Sequence, residues 1–149
     1  MRTSPSLALA ALACLLPACR QIGLRPRPVE VERGQSAHPS GLRLEDLFVG
    51  QGPAASERDE VTFDYTAWLE DGTRVDSTLD RGVPLTVVLA EAPLPGLVEG
   101  IAGMRPQGRR RLLVPPALAY GAAGVEDLVP PDATLVFEVH LLDVVPAAR

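Results

Sequence analysis

Between Val61 and Glu70 apolar and polar residues alternate. Val61, Phe63, Tyr65, Ala67 and Leu69 share one face; Thr62, Asp64, Thr66 and Glu70 share the other. Trp68 is the exception, an aromatic on the polar face. A period of two over this length fits a strand with one buried and one wet face. It excludes a helix, whose face repeats every three or four residues. Asp71-Gly72 then gives a hairpin signal, since both residues accept the positive backbone angles of a tight turn. A returning strand is expected over Thr73 to Ser77.

Other segments supply more of the same sheet. Leu42, Leu44 and Leu47-Phe48-Val49 predict a strand ended by Gly50 and Gly52-Pro53. Leu85 to Leu89 and Arg109 to Val114 predict two more, and Leu135, Phe137, Val139 and Leu141 a last alternating one. Leu94 to Met104 reads as a short helix: Pro95 suits its first turn, and Leu97, Ile101 and Met104 share a face. Gly96, Gly100 and Gly103 weaken it, so packing must hold it. Pro115 to Ala133 is a loop. The expected fold is α+β: a five- to six-stranded antiparallel half-barrel sheet wrapped around one short helix. The 149 residues contain no internal repeat and no second domain.

The N-terminus has a different character. Residues 1–18 read as a signal peptide, with Arg2, an apolar run from Leu7 to Leu16 and then small residues. Leu16-Pro17-Ala18-Cys19 resembles the lipobox of bacterial lipoproteins, which implies lipidation at Cys19. Cys14, mid-run with Ala at the third position before it, fits less well. Acyl chains add about 0.8 kcal/mol of membrane affinity per buried methylene. Residues 19–40, with Pro26, Pro28 and Pro39 among polar residues, read as a lipid-anchored tether. The domain occupies 41–149. Both cysteines precede it, so it is expected to hold no disulfide. The expected location is the cell envelope. Where there are two membranes, Arg20 after Cys19 favours the outer one by the usual sorting pattern.

Net charge is −5, against the basic surface a nucleic-acid partner needs. His38 falls in the tether and His140 on the outer face of the last strand, so neither a metal site nor a triad is expected. Ser77 lacks a nucleophile elbow. Within Arg109-Arg110-Arg111 the strand pattern turns Arg109 and Arg111 to solvent, against a phosphate site. No cofactor is expected.

Four segments, in order along the chain, resemble the FKBP family of peptidyl-prolyl isomerases. They are Tyr65 to Gly72, Val75-Asp76-Ser77-Thr78, Pro95 to Gly100, and Ala119-Tyr120-Gly121 followed by Pro130 to Phe137. The resemblance implies a proline pocket. Tyr65 and Phe137 are its expected walls. Asp76 is a buried carboxylate held by the Tyr65 hydroxyl. Leu94 N–H and the Tyr120 hydroxyl are donors to peptide carbonyls, and Leu128 and Val129 form the lip. Val75, Leu85 and Leu97 stand where the family usually has Phe, Phe and Trp. The segment before Leu94 is one residue short, with Pro93 where the family often has Val.

The implied activity is isomerisation of X-Pro bonds in exported proteins. Amide resonance sets a barrier of about 18–20 kcal/mol. Twisting the bond reduces its charge separation, so a dry apolar pocket with fixed donors favours the twisted state. A thousandfold gain asks for only about 4 kcal/mol. Three aromatic surfaces trimmed to aliphatic ones imply weaker catalysis and weak binding of macrolide immunosuppressants. The alternative is a catalytically weak module that binds proline-containing or unfolded segments. Only nine residues separate Tyr120 from Pro130, so the chaperone insert of some family members is missing. The protein is expected to be a monomer.

Overall fold

The structure, a computed structural model, describes residues 36–148. Its strands are β1 (Ser36–Ala37), β2 (Arg43–Phe48), β3 (Glu60–Leu69), β4 (Arg74–Ser77), β5 (Leu85–Val88), β6 (Arg109–Val114) and β7 (Leu135–Val145). Two α-helices accompany them, α1 (Thr78–Arg81) and α2 (Pro95–Ile101), with short 3-10 turns at Leu89–Glu91 and Pro116–Leu118. All pairings are antiparallel. The order is β1-β2-β6-β7-β3-β4, and β5 also pairs with β3. The α+β expectation holds, with one strand and one helical turn beyond it.

The two alternating segments form the centre. β3 and β7 pair from Glu60↔Val145 to Leu69↔Leu135. Their inward residues Val61, Phe63, Ala67, Leu135, Phe137, Val139 and Leu141 are buried. The hairpin after β3 closes at the expected residues, but only Gly72 takes a positive angle, φ 88°, while Asp71 Oδ1 accepts the Thr73 N–H at 2.8 Å.

α2 lies across this face, burying Leu97 and Ile101 in the same core as Leu112 and Val114. Its glycines permit the close approach. A β-carbon on Gly96 would stand 2.3 Å from Val114 Cγ1, and one on Gly100 would stand 2.4 Å from Leu112 Cδ1. Arg110 secures the other end of the helix. It turns inward between outward Arg109 and Arg111 and donates to Gly100 O at 2.9 Å and Ala102 O at 3.3 Å. It also pairs with Asp46. These carbonyls end α2 without intrahelical donors, so a cation there satisfies them and opposes the helix dipole. Arg110→Met keeps the apolar stem and removes the donors. We expect it to lower unfolding free energy by about 1–3 kcal/mol in a urea titration; an unchanged midpoint would show the bonds to be idle.

The domain begins earlier than residue 41. Ser36 and Ala37 pair with Leu44 and Arg43, so the tether expected over 19–40 gives way to sheet at Ser36. His38 therefore lies in the turn into β2, with Nδ1 3.2 Å from Glu99 Oε2, and not in a tether. A ladder joins backbone groups, so two small, exposed residues can join it without a periodic apolar signal. Cys19, the signal segment and the rest of the tether lie outside the described residues. Among the described residues no helix is long and apolar enough to cross a membrane.

Candidate active site

Tyr65 stands on the inner face of β3. Its ring is tilted against Phe63, with centroids 6.1 Å apart, and against Phe137 of β7 at 5.9 Å. The chain has three Phe, two Tyr and one Trp, and half of them stand in this row. Such tilted pairs set the positive ring edge against the negative face of a neighbour.

The hydroxyl end of Tyr65 is polar and fully engaged. It donates to Asp76 Oδ2 at 2.6 Å. Asp76 Oδ1 accepts from the Arg81 guanidinium at 2.7 Å and from the Ser77 N–H at 2.8 Å. A second Arg81 nitrogen donates to the Tyr65 oxygen at 3.3 Å. The three side chains close a triangle. Asp76 is not the buried carboxylate expected from the sequence: its side chain is 40% exposed and that of Arg81 54%. The reason is its place on β4, an edge strand, under a charged cover that itself needs water.

Arg81 was not among the sequence-based site residues. Its position depends on α1, a single turn. The Ser77 side chain caps this turn by accepting the Leu79 N–H, and Gly82 ends it at φ 66°. The signal was present as Ser77 and Gly82 bracketing a basic residue, a cap and a stop five positions apart.

Burial pushes the Asp76 carboxyl up, but hydrogen bonds from Tyr65, Arg81 and the Ser77 N–H outweigh it and hold it below its ordinary value. Burial pushes the Tyr65 phenol up, and the bond to Asp76 adds to this, against the opposing effect of Arg81. A lowered acid stabilises the fold above its unfolded pKa, about 3.9, and loses this as pH falls through the folded value. A raised phenol stabilises the fold below its unfolded pKa, about 10, and loses this as pH rises through the folded value. The triangle thus keeps one charge state between them. kcat/KM should be level from about pH 5 to 9, measured on a peptide without titrating groups; a bell centred near neutrality would contradict the assignment.

The remaining expected residues divide. Leu94, Leu97, Val129 and Phe137 are buried in one cluster, and Tyr65, Val75 and Leu85 pack against it. Leu94 precedes α2 in extended conformation, and its N–H meets no backbone acceptor among the described residues. Tyr120 and Leu128 stand outside the cluster, 40% and 47% exposed, on the loop after β6. Backbone bonds from Gly124 to Tyr120, between Val125 and Val129, and from Asp132 to Gly121 hold that loop.

A groove of about 510 Å³ lies on the opposite face of the sheet, lined by Leu47, Phe48, Gln107, Arg109, Glu138 and His140. None of the Tyr65, Asp76 and Phe137 side chains reaches it. Among the described residues no group of three or more His, Cys, Asp or Glu could hold a metal ion.

Residues 52–142 match the model of the FKBP-type peptidyl-prolyl cis-trans isomerase family. The chain belongs to that family. An FK506-binding protein of Neisseria meningitidis serogroup B is 48% identical over 105 residues, covering 70% of this chain and 96% of its own. The crystal structure of FkpA from Escherichia coli matches with a TM-score of 0.72 and 40% identity, over 79% of this chain and 55% of that one. The crystal structure of AtFKBP13 matches with a TM-score of 0.67 and 33% identity, over 73% and 97%. The protein is an FKBP-type peptidyl-prolyl cis-trans isomerase, and its sheet and short helix are the FKBP fold.

Proposed function

We propose that this isomerase acts on X-Pro bonds of exported proteins by holding the proline against Tyr65, Phe137 and Leu97 while the amide twists. The observation that carries the reading is the triangle of Tyr65, Asp76 and Arg81 at the edge of an apolar cluster. Both carboxylate oxygens of Asp76 are already engaged, so it takes no proton; it orients the phenol and fixes the local field. Leu94 offers an N–H without a backbone acceptor among the described residues for one flanking carbonyl, and Tyr120 on the loop offers a hydroxyl for the other. Val75, Leu85, Leu128 and Val129 complete the apolar contact. Water excluded from this surface cannot stabilise the planar amide, which is the more polar state.

Val75, Leu85 and Leu97 present less surface than aromatic rings do. Each missing aromatic contact removes about 0.5–1.5 kcal/mol. Catalysis and macrolide binding are therefore weak. The same trimming supports a second reading, a module that binds proline-containing segments with little catalysis.

NMR exchange in a Leu-Pro peptide, with and without the chain from Arg20 onward, separates them. Faster cis/trans exchange supports the enzyme. Peptide binding by the folded protein without acceleration supports the module.

The protein works as a monomer in the cell envelope, anchored through lipid on Cys19. The apolar run and Leu16-Pro17-Ala18-Cys19 support this. Palmitate labelling in cells tests it: label and membrane association should both vanish with Cys19→Ser.

A further inference from the structure

The outer edge of β3 is divided between two strands. β5 pairs with Glu60 to Phe63, and β4 with Thr66 to Trp68. Asp64 and Tyr65 fall between them, and among the described residues no strand lies beside them on that edge. One side chain fills the gap. Thr78, the first residue of α1 and 1% exposed, accepts the Tyr65 N–H at Oγ1, 3.0 Å away. It donates the same hydroxyl to Asp64 Oδ1 at 2.7 Å. Tyr65 O is 3.4 Å from that oxygen, too long to compete. A carboxylate oxygen accepts and does not donate, so Asp64 sets the direction of the proton and leaves the Thr78 lone pairs for the amide.

We propose that Thr78 is a positioning residue of the active site, acting through Tyr65. Its hydroxyl, aligned by Asp64, replaces the missing strand and fixes how Tyr65 presents its phenol to Asp76. Thr78 also opens the turn that carries Arg81 back onto Asp76 and Tyr65. One buried hydroxyl thereby governs two corners of the triangle. The inference rests on Tyr65 being part of the catalytic wall.

Three variants test it. Thr78→Val keeps the shape and removes the hydroxyl; Thr78→Ser keeps the hydroxyl and removes the methyl. Asp64→Ala removes only the acceptor that aligns the hydroxyl. Each is measured for kcat/KM on a Leu-Pro peptide and by ¹³C NMR of the labelled tyrosine Cζ. The chain has two tyrosines, so Tyr120→Phe identifies the Tyr65 signal. Thr78→Val should lower kcat/KM about fivefold, the effect of one net hydrogen bond. It should also move the Tyr65 signal and bring its titration midpoint down towards that of a free phenol. Thr78→Ser should stay within about twofold of the parent in rate, with an unmoved signal. Where Thr78→Val does not fold, Asp64→Ala should move the Tyr65 signal in the same direction. A folded Thr78→Val with unchanged signal and rate overturns the proposal, as does Thr78→Ser falling as far as Thr78→Val. So does an unmoved Tyr65 signal in Asp64→Ala where Thr78→Val does not fold. Should the parent protein show no isomerisation, the catalytic reading of Tyr65 fails while its NMR signal still decides the positioning.

Discussion

Asp76→Ala should remove about nine-tenths or more of kcat/KM on a Leu-Pro peptide while leaving the protein folded. The substitution strips partners from the Tyr65 hydroxyl, the Arg81 guanidinium and the Ser77 N–H. Hydrogen bonds to a charged group contribute about 1.5–3 kcal/mol each. Water recovers part of that here, because Asp76 is half exposed. Tenfold requires only about 1.4 kcal/mol at the transition state. The fold should survive, since β4 is an edge strand and these bonds lie outside the core.

Two companion variants sharpen the result. Arg81→Ala should cost less, about threefold, because Tyr65 keeps its acceptor. Combined with Asp76→Ala it should add little, since only the long 3.3 Å bond from Arg81 to the Tyr65 oxygen is then left to lose. Tyr120→Phe should also slow the reaction, as a substrate donor independent of the triangle. Undiminished rates in both Asp76→Ala and Tyr120→Phe would undo the site assignment.

Gly96→Ala should melt at a lower temperature than the parent, against what helix propensity demands. Alanine in a helix interior is worth about 1 kcal/mol over glycine. At Gly96 the added carbon meets Val114 Cγ1 at 2.3 Å and Leu118 O at 3.1 Å. Val114 is fully buried, and a backbone carbonyl cannot rotate away. α2 must lift from the sheet, and such overpacking costs about 1–3 kcal/mol. Leu94 and Leu97 move with it, so kcat/KM should fall as well. Gly100→Ala should be milder, because the obstruction there is the end of the Leu112 side chain. A higher melting temperature for Gly96→Ala would show that the helix has room.

The same glycines explain which parts of the fold were legible in the sequence. β3 and β7 were readable because each buries one face along its whole length. Arg109–Val114 was readable down to its ends, and the inward Arg110 only strengthens that strand. α2 showed its apolar face but not its stability, which comes from contact with Leu112 and Val114. β1 and α1 were not legible. β1 is two small, exposed residues held by a ladder, and α1 is one turn set by a cap and a glycine stop. Neither has enough length for periodicity to appear. The site divides in the same way. Tyr65, Asp76 and Phe137 lie on or beside elements that could be read. Arg81 and Thr78 belong to the turn that could not, so their roles emerged only with the geometry. The exposure of Asp76 was hidden too, because it depends on where β4 falls in the strand order.

That strand order also sets how the site is coupled to the first strand of the domain. The N-terminal end of the domain enters through β1 at one margin of the sheet, while the Tyr65 triangle sits by β4 at the other. Five strand spacings of about 4.8 Å separate the two margins along the curve of the sheet. β1 and the triangle are therefore coupled only through the intervening ladders. A pull applied at Ser36 would reach the Tyr65 triangle only by loading every pairing in that row of strands.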